Sequence, residues 1–142
     1  MIKKIMDIFM YIIVFILFGT VLVVGYWLLY PYKVIQFNKV PFPVVNKIVH
    51  QGGILTYQTD YCKFNNIIPV SYKTFTDGII YHIPSSYVLA KNKGCAKTFI
   101  DIEVPRTLPV GNYVLDILYI YQVNPIRTVN VDVKTENFEV VK

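Results

Sequence analysis

Hydrophobic and polar positions follow two rhythms along this chain. From Ile8 to Tyr30 (IFMYIIVFILFGTVLVVGYWLLY) no residue is charged and no polar face interrupts the apolar one. Beyond Val34 the pattern changes to alternation, every second residue apolar, with turn residues closing each run. The 23 uncharged residues make a helix of about 35 Å, enough to cross a hydrocarbon core of about 30 Å with some tilt. A soluble helix that is apolar all round must be covered on every side. What remains of a 142-residue chain is too short to do that. The first element is therefore expected to be a transmembrane helix over 8–30, preceded by a short N-terminus over 1–7.

The flanks of this helix refine the expectation. Lys3 and Lys4 would suit a secretory signal, but such a signal has a shorter apolar stretch and ends in small residues. Here the run closes on Tyr26-Trp27-Leu28-Leu29-Tyr30-Pro31-Tyr32. Bulky aromatic rings do not fit a peptidase pocket shaped for small side chains, whereas Tyr26, Trp27, Tyr30 and Tyr32 suit a membrane interface, where an amphipathic ring keeps one edge wet. An uncleaved signal-anchor is predicted, with Pro31 ending the helix because it cannot donate the next hydrogen bond.

After Pro31 the alternation predicts strands near Val34–Asn38, Val45–Val49, Ile54–Tyr61, Pro69–Phe75, Ile79–Ile83, Thr98–Val104, Tyr113–Val123, Thr128–Lys134 and Phe138–Val141, with no further helix. Residues 31–47 read as an extended membrane-proximal segment carrying the first strand, and 48–142 as a β-sandwich domain. Turns are expected at Pro41-Phe42-Pro43, Gln51-Gly52-Gly53, Asn65-Asn66, Pro84-Ser85-Ser86, Asn92-Lys93-Gly94 and Pro109-Val110-Gly111, with a tight hairpin at Asp77-Gly78. Around Asn124-Pro125-Ile126-Arg127, two runs fold back on each other. One face of the first run holds Tyr113, Leu115, Ile117, Tyr119, Tyr121 and Val123, and one face of the second holds Val129, Val131 and Val133. These are the predicted core faces, and the hairpin is read as mainly structural.

Gly111-Asn112-Tyr113-Val114-Leu115 resembles the start of the sixth strand of immunoglobulin-like domains, in which a corner tyrosine bonds back to the backbone. The resemblance assigns Tyr113 as that tyrosine and implies an all-β, immunoglobulin-like antiparallel sandwich after the one N-terminal transmembrane helix. Where such domains can carry a cysteine two residues on, this chain has Leu115, a departure from the antibody type. The stretch VPRTLPVGNYVLDILYIYQVNPIRTVNVDVKTENFEV is also similar to small single-pass membrane proteins of tailed bacteriophages and some bacteria. That similarity rests on Pro-x-Gly-x-Tyr, Val-Asn-Pro-Ile-Arg and Thr-Glu-x-Phe; it implies an envelope setting and no particular activity.

The formal charge is +5, from 14 Lys and Arg against 9 Asp and Glu. The basic residues are scattered along the chain without a basic run, so they read as a solvated surface and not as a nucleic-acid site. Lys3 and Lys4 favour a cytoplasmic N-terminus, although Lys33, Lys39 and Lys47 weaken the asymmetry. The two cysteines, Cys62 and Cys95, can be a disulfide, free thiols or metal ligands. Their even number in a small β domain favours the disulfide, expected at strand ends, and with it an oxidising, extracytoplasmic compartment, periplasmic or at the cell surface.

Candidate chemistry is sparse. No GxSxG, GxxxxGK[ST] or HExxH motif is present. His82 in a strand and His50 before a turn are isolated bases, and His50, Cys62, His82 and Cys95 are too widely spaced to signal zinc without the fold's help. Asp101 and Glu103 share a strand face, as paired acids do, but Ile100 and Ile102 between and beside them make that face the solvated reverse of a buried one. Tyr57, Tyr61, Tyr72, Tyr81 and Tyr87 would suit a recognition patch if exposed and the core if not. No catalytic residue, cofactor, metal or small-molecule substrate is expected. The function expected is a membrane-anchored binding module whose partners are the bilayer and an envelope protein or a second copy, the alternative being a structural subunit of an envelope or virion membrane assembly.

Overall fold

A computed structural model of the chain describes residues 2–30, 32–76, 80–86 and 93–142, the backbone alone at residues 2, 3 and 80–86. Pro31, the Asp77-Gly78 hairpin and Tyr87 lie outside the described residues, as do the side chains of Tyr81 and His82. Among the described residues the chain forms one N-terminal helix followed by strands: α1 (Ile2–Leu29), β1 (Ile35–Phe37), β2 (Ile48–His50), β3 (Ile54–Lys63), β4 (Val70–Thr76), β5 (Ile80–Ser86), β6 (Gly94–Glu103), β7 (Gly111–Asn124), β8 (Arg127–Lys134) and β9 (Phe138–Val141). It divides into two compact units: residues up to Tyr32 with Asn124–Arg127, and Lys33–Val123 with Thr128–Lys142.

In the first unit α1 begins at Ile2, earlier than the uncharged run, so Lys4 and Asp7 lie within the helix. Nothing there breaks a helix, and charges are tolerated where a helix end meets water. The Lys4–Leu29 stretch is long and apolar enough to cross a membrane.

In the second unit β1, β3 and β6 form one antiparallel sheet, while β2-β9-β7-β4-β5, with β8 also beside β7, form the other. Alternation drives the register. Along β3 the buried positions are Leu55, Tyr57, Thr59, Tyr61 and Lys63; along β7 they are Tyr113, Leu115, Ile117, Tyr119 and Tyr121. These faces share one core, in which Phe37 stacks on Tyr119 with ring centroids 5.7 Å apart and Phe42 stacks on Tyr57 at 5.8 Å. Val133 is buried and Val129 and Val131 are half-buried against the same core, as the hairpin's alternation predicts.

Four local expectations fail for identifiable reasons. Residues 33–47 are not a separate membrane-proximal segment. They belong to the β unit, with Val34, Ile35, Phe42 and Val44 buried in its core. Phe42, read as a turn residue between two prolines, is 0% exposed; its N–H donates to Lys134 O at 2.8 Å and its carbonyl accepts from Glu136 N at 2.8 Å. Two residues on, Val44 pairs with Tyr57 of the other sheet, so this segment bridges both sheets. Pro84-Ser85-Ser86 continues β5 instead of turning; among the described residues β5 is the edge of its sheet, and its register with β4 shifts between Ile83 and Ser86, where a proline is tolerated. β6 starts at Gly94, not Thr98, because Gly94–Lys97 pair with Lys63–Asp60 of β3. Only a pairing partner distant in sequence makes that stretch a strand.

Candidate membrane interface

The end of α1 concentrates the side chains assigned to an interface. Tyr26, Tyr30 and Tyr32 form a short ladder, with ring centroids 5.1 Å and then 4.9 Å apart, and Trp27 is half-buried beside them. A helix terminus leaves its last carbonyls without intrahelical partners. In this unit side chains of the β7–β8 turn supply them. Asn124 Nδ2 donates to Trp27 O at 3.0 Å, and Arg127 Nη1 donates to Leu28 O at 2.7 Å and Tyr30 O at 2.8 Å. The Arg127 guanidinium also lies over the Tyr32 ring, 5.9 Å from its centroid. Asn124 Oδ1 accepts from Ile126 N at 3.1 Å, closing an Asx turn that fixes the loop.

This arrangement has a simple electrostatic logic. A cation at a helix C-terminus complements the negative end of the macrodipole, and hydrogen bonds from a charged donor are the stronger kind. By sequence alone Asn124 and Arg127 stand only in a turn. Their partners stand 97 and 99 residues away, so no local spacing signals the contact. The one available hint is an arginine in an otherwise uncharged hairpin tip.

The remaining predicted sites fall within the β unit. Tyr113 Oη donates to Pro109 O at 3.0 Å, the bond a corner tyrosine makes. Cys62 and Cys95 form a disulfide between directly opposed residues, one position inside the end of β3 and the start of β6, so it staples strand ends as expected. Both cysteines are on the face of β3 and β6 away from the core, in the alternate set to Tyr61 and Lys63. They are thus not available as thiols or metal ligands. Among the described residues no group of His, Cys, Asp and Glu could hold a metal ion.

Asp101 and Glu103 are exposed on the reverse of Ile100 and Ile102, and Asp101 accepts from Thr56 Oγ1 at 2.6 Å. His50 ends β2 and donates from Nδ1 to the Lys142 carbonyl. The tyrosines divide. Tyr57 and Tyr61 are buried in the core, which removes them from any recognition patch, and Tyr72 is 51% exposed. Burial pushes the hydroxyls of Tyr57, Tyr119 and Tyr121 well above the usual tyrosine range, the first two also acting on each other. Burial likewise pulls the ammonium groups of Lys63 and Lys73 below theirs.

On the outer face of the larger sheet Val70 lies opposite Ile120 and Tyr72 opposite Leu118. All four are partly or fully exposed, making an apolar stripe beside the ion pair of Lys134 and Asp116 at 3.4 Å.

The chain matches no protein-family model and no curated protein by sequence. Among solved structures it is similar to a Niemann-Pick type C2 protein from Japanese carpenter ant, at 8% identity over 77% of this chain and 100% of that one, with a TM-score of 0.43. It is also similar to the CARDB domain of the PF1109 protein from Pyrococcus furiosus in complex with di-metal ions, at 13% identity over 78% of this chain and 95% of that one, with a TM-score of 0.31.

Proposed function

We propose that this chain is a single-pass membrane protein in which α1 is an uncleaved signal-anchor with a cytoplasmic N-terminus. The β unit is then an immunoglobulin-like β-sandwich on the extracytoplasmic side, antiparallel except where β2 runs parallel to β9 and so departs from the all-antiparallel expectation, and it acts as a non-enzymatic binding module. One observation carries the reading: a helix apolar on every side, long enough to cross a bilayer, is joined to a β unit held by a disulfide. Lipid is the solvent that such a helix needs, and an oxidising compartment is where such a bond persists. The stripe of Val70, Tyr72, Leu118 and Ile120 is the surface for an envelope-protein partner or a second copy, since an aromatic-containing apolar patch supplies buried area with little entropy loss. The similarity of the C-terminal third to phage-encoded single-pass proteins supports a setting at the bacterial envelope.

Alkylation of the cysteines in intact cells, compared with lysed and reduced samples and read by mass, tests compartment and disulfide together. Protection of both cysteines until reductant is added is the expected result; reaction of both without reductant would put the β unit in the cytoplasm and end this reading. A second reading, a structural subunit of an envelope or virion membrane assembly, is favoured by β6. Among the described residues β6 pairs with β3 alone and stands at the edge of its sheet, where another copy can add a strand. A detergent-extracted mass of many chains selects that reading, and a mass of one chain removes it.

A further inference from the structure

The β7–β8 turn makes contacts that a loop exposed to bulk water has no use for. Its Asn124 and Arg127 side chains are spent on the backbone carbonyls of Trp27, Leu28 and Tyr30, in the stretch that carries the aromatic belt. Belt residues lie at the headgroup level of a bilayer. A turn within hydrogen-bond distance of the belt's own backbone lies at the same depth. The turn also presents Ile126, 51% exposed, and an exposed Pro125, which cannot donate a backbone hydrogen bond and so leaves one polar group fewer to desolvate. The one charge in the turn, on Arg127, is satisfied by helix carbonyls and by the face of Tyr32.

We propose that the tip Asn124–Arg127 is a second membrane-contact element. Ile126 and Pro125 enter the lipid interface beside Tyr26, Trp27, Tyr30 and Tyr32, while Arg127 and Asn124 hold the tip against the end of α1. The occupant is the lipid bilayer itself, and the surface is continuous with the aromatic belt. The β7–β8 hairpin thereby becomes part of the anchor as well as part of a sheet. This inference rests on the reading of α1 as a bilayer-spanning helix.

Trp27 is the one tryptophan of the chain, which makes the test direct. The full-length protein is reconstituted in phosphatidylcholine–phosphatidylglycerol vesicles, once as it stands and once as the double variant Trp27→Phe, Ile126→Trp. Each is titrated with phosphatidylcholine brominated high on the acyl chain and, separately, with aqueous iodide. Both tryptophans are expected to lose most of their emission to the brominated lipid and little to iodide. Adding Arg127→Ala to the double variant is expected to reverse that pattern at the tip.

If the Ile126→Trp reporter is quenched by iodide and not by brominated lipid while Trp27 behaves as expected, the tip proposal is overturned and the spanning helix stands. If Trp27 is also untouched by brominated lipid, the spanning reading fails and takes the proposal with it. An Arg127→Ala variant that leaves the tip reporter's lipid quenching unchanged overturns the holding role of Arg127. An intact Cys62–Cys95 disulfide, read by mass, certifies each variant's fold. Pro125→Trp in the same Trp27→Phe background is the second reporter should Ile126→Trp fail that check, and it is judged by the same outcomes.

Discussion

α1 and β7 are both apolar segments, of 28 and 14 residues, yet they use their hydrophobic side chains in opposite ways. In β7 alternate residues from Tyr113 to Tyr121 are almost completely buried and the intervening ones are half-buried, so the strand needs a core on one side only. In α1 nearly every described side chain is exposed, Leu17 by 60%, on a helix with no polar face to turn outward. A strand projects side chains in two directions, and a sheet can cover one of them; a helix projects them all round, and only a surrounding solvent can cover them all. The same residue type is therefore core in β7 and stands exposed all round α1.

The sharpest break of that contrast comes from alkali. Tyr57, Tyr119 and Tyr121 hold their protons far above the ordinary value of 10.0, because burial opposes the charged phenolate. Above that value the unfolded chain binds fewer protons than the folded one, so stability falls as pH rises, by about 1.4 kcal/mol per pH unit for each tyrosine and about 4 for the three together. Lys63 and Lys73 act with the opposite sign. Their folded values are lowered, so the unfolded chain binds more protons until pH reaches the ordinary 10.5, and the stability they add as pH rises stops there. Urea midpoints measured across this alkaline range should fall steeply, with tyrosinate absorbance appearing together with unfolding. Smooth tyrosine titration without unfolding would show that the β7 face is wet.

A matched pair of leucines gives the next largest effect. Leu115→Ala removes a side chain that is 0% exposed and is expected to cost the β unit about 2–5 kcal/mol in urea unfolding. Leu17→Ala should leave the same transition where it was. A comparable loss from both would mean that α1 is part of a protein core.

The converse experiment sharpens the helix side. Leu17→Arg puts a charge near the middle of the uncharged run, at a cost of about 3 kcal/mol for insertion into a bilayer. The fraction of protein resisting carbonate extraction from membranes should drop, while the β unit's urea transition is unchanged. Retention equal to that of the unaltered chain would deny α1 its lipid surroundings.

The smallest effect tests the corner at the start of β7. Tyr113→Phe deletes the hydroxyl that donates to Pro109 O and should lower stability by about 1 kcal/mol. No change at all would make that bond incidental to the fold.

What the chain's order of residues determined by itself are the features set by near neighbours: the uncharged helix, the alternation of β3, β7 and β8, and the solvated face of Asp101 and Glu103. Each follows from spacings of two to four residues, which fix where side chains point before any tertiary contact exists. The tertiary structure alone decided the rest. It made Phe42 a core residue in a segment that bridges both sheets, extended β6 back to Gly94, put Tyr57 and Tyr61 inside, set Cys62 directly opposite Cys95 in one register, and brought Asn124 and Arg127 to the end of α1. These contacts join residues tens of positions apart. A proline-flanked phenylalanine or an arginine in a turn has many acceptable partners in a flexible chain, and folding selects one by which buried surface and which unsatisfied carbonyl the finished fold presents.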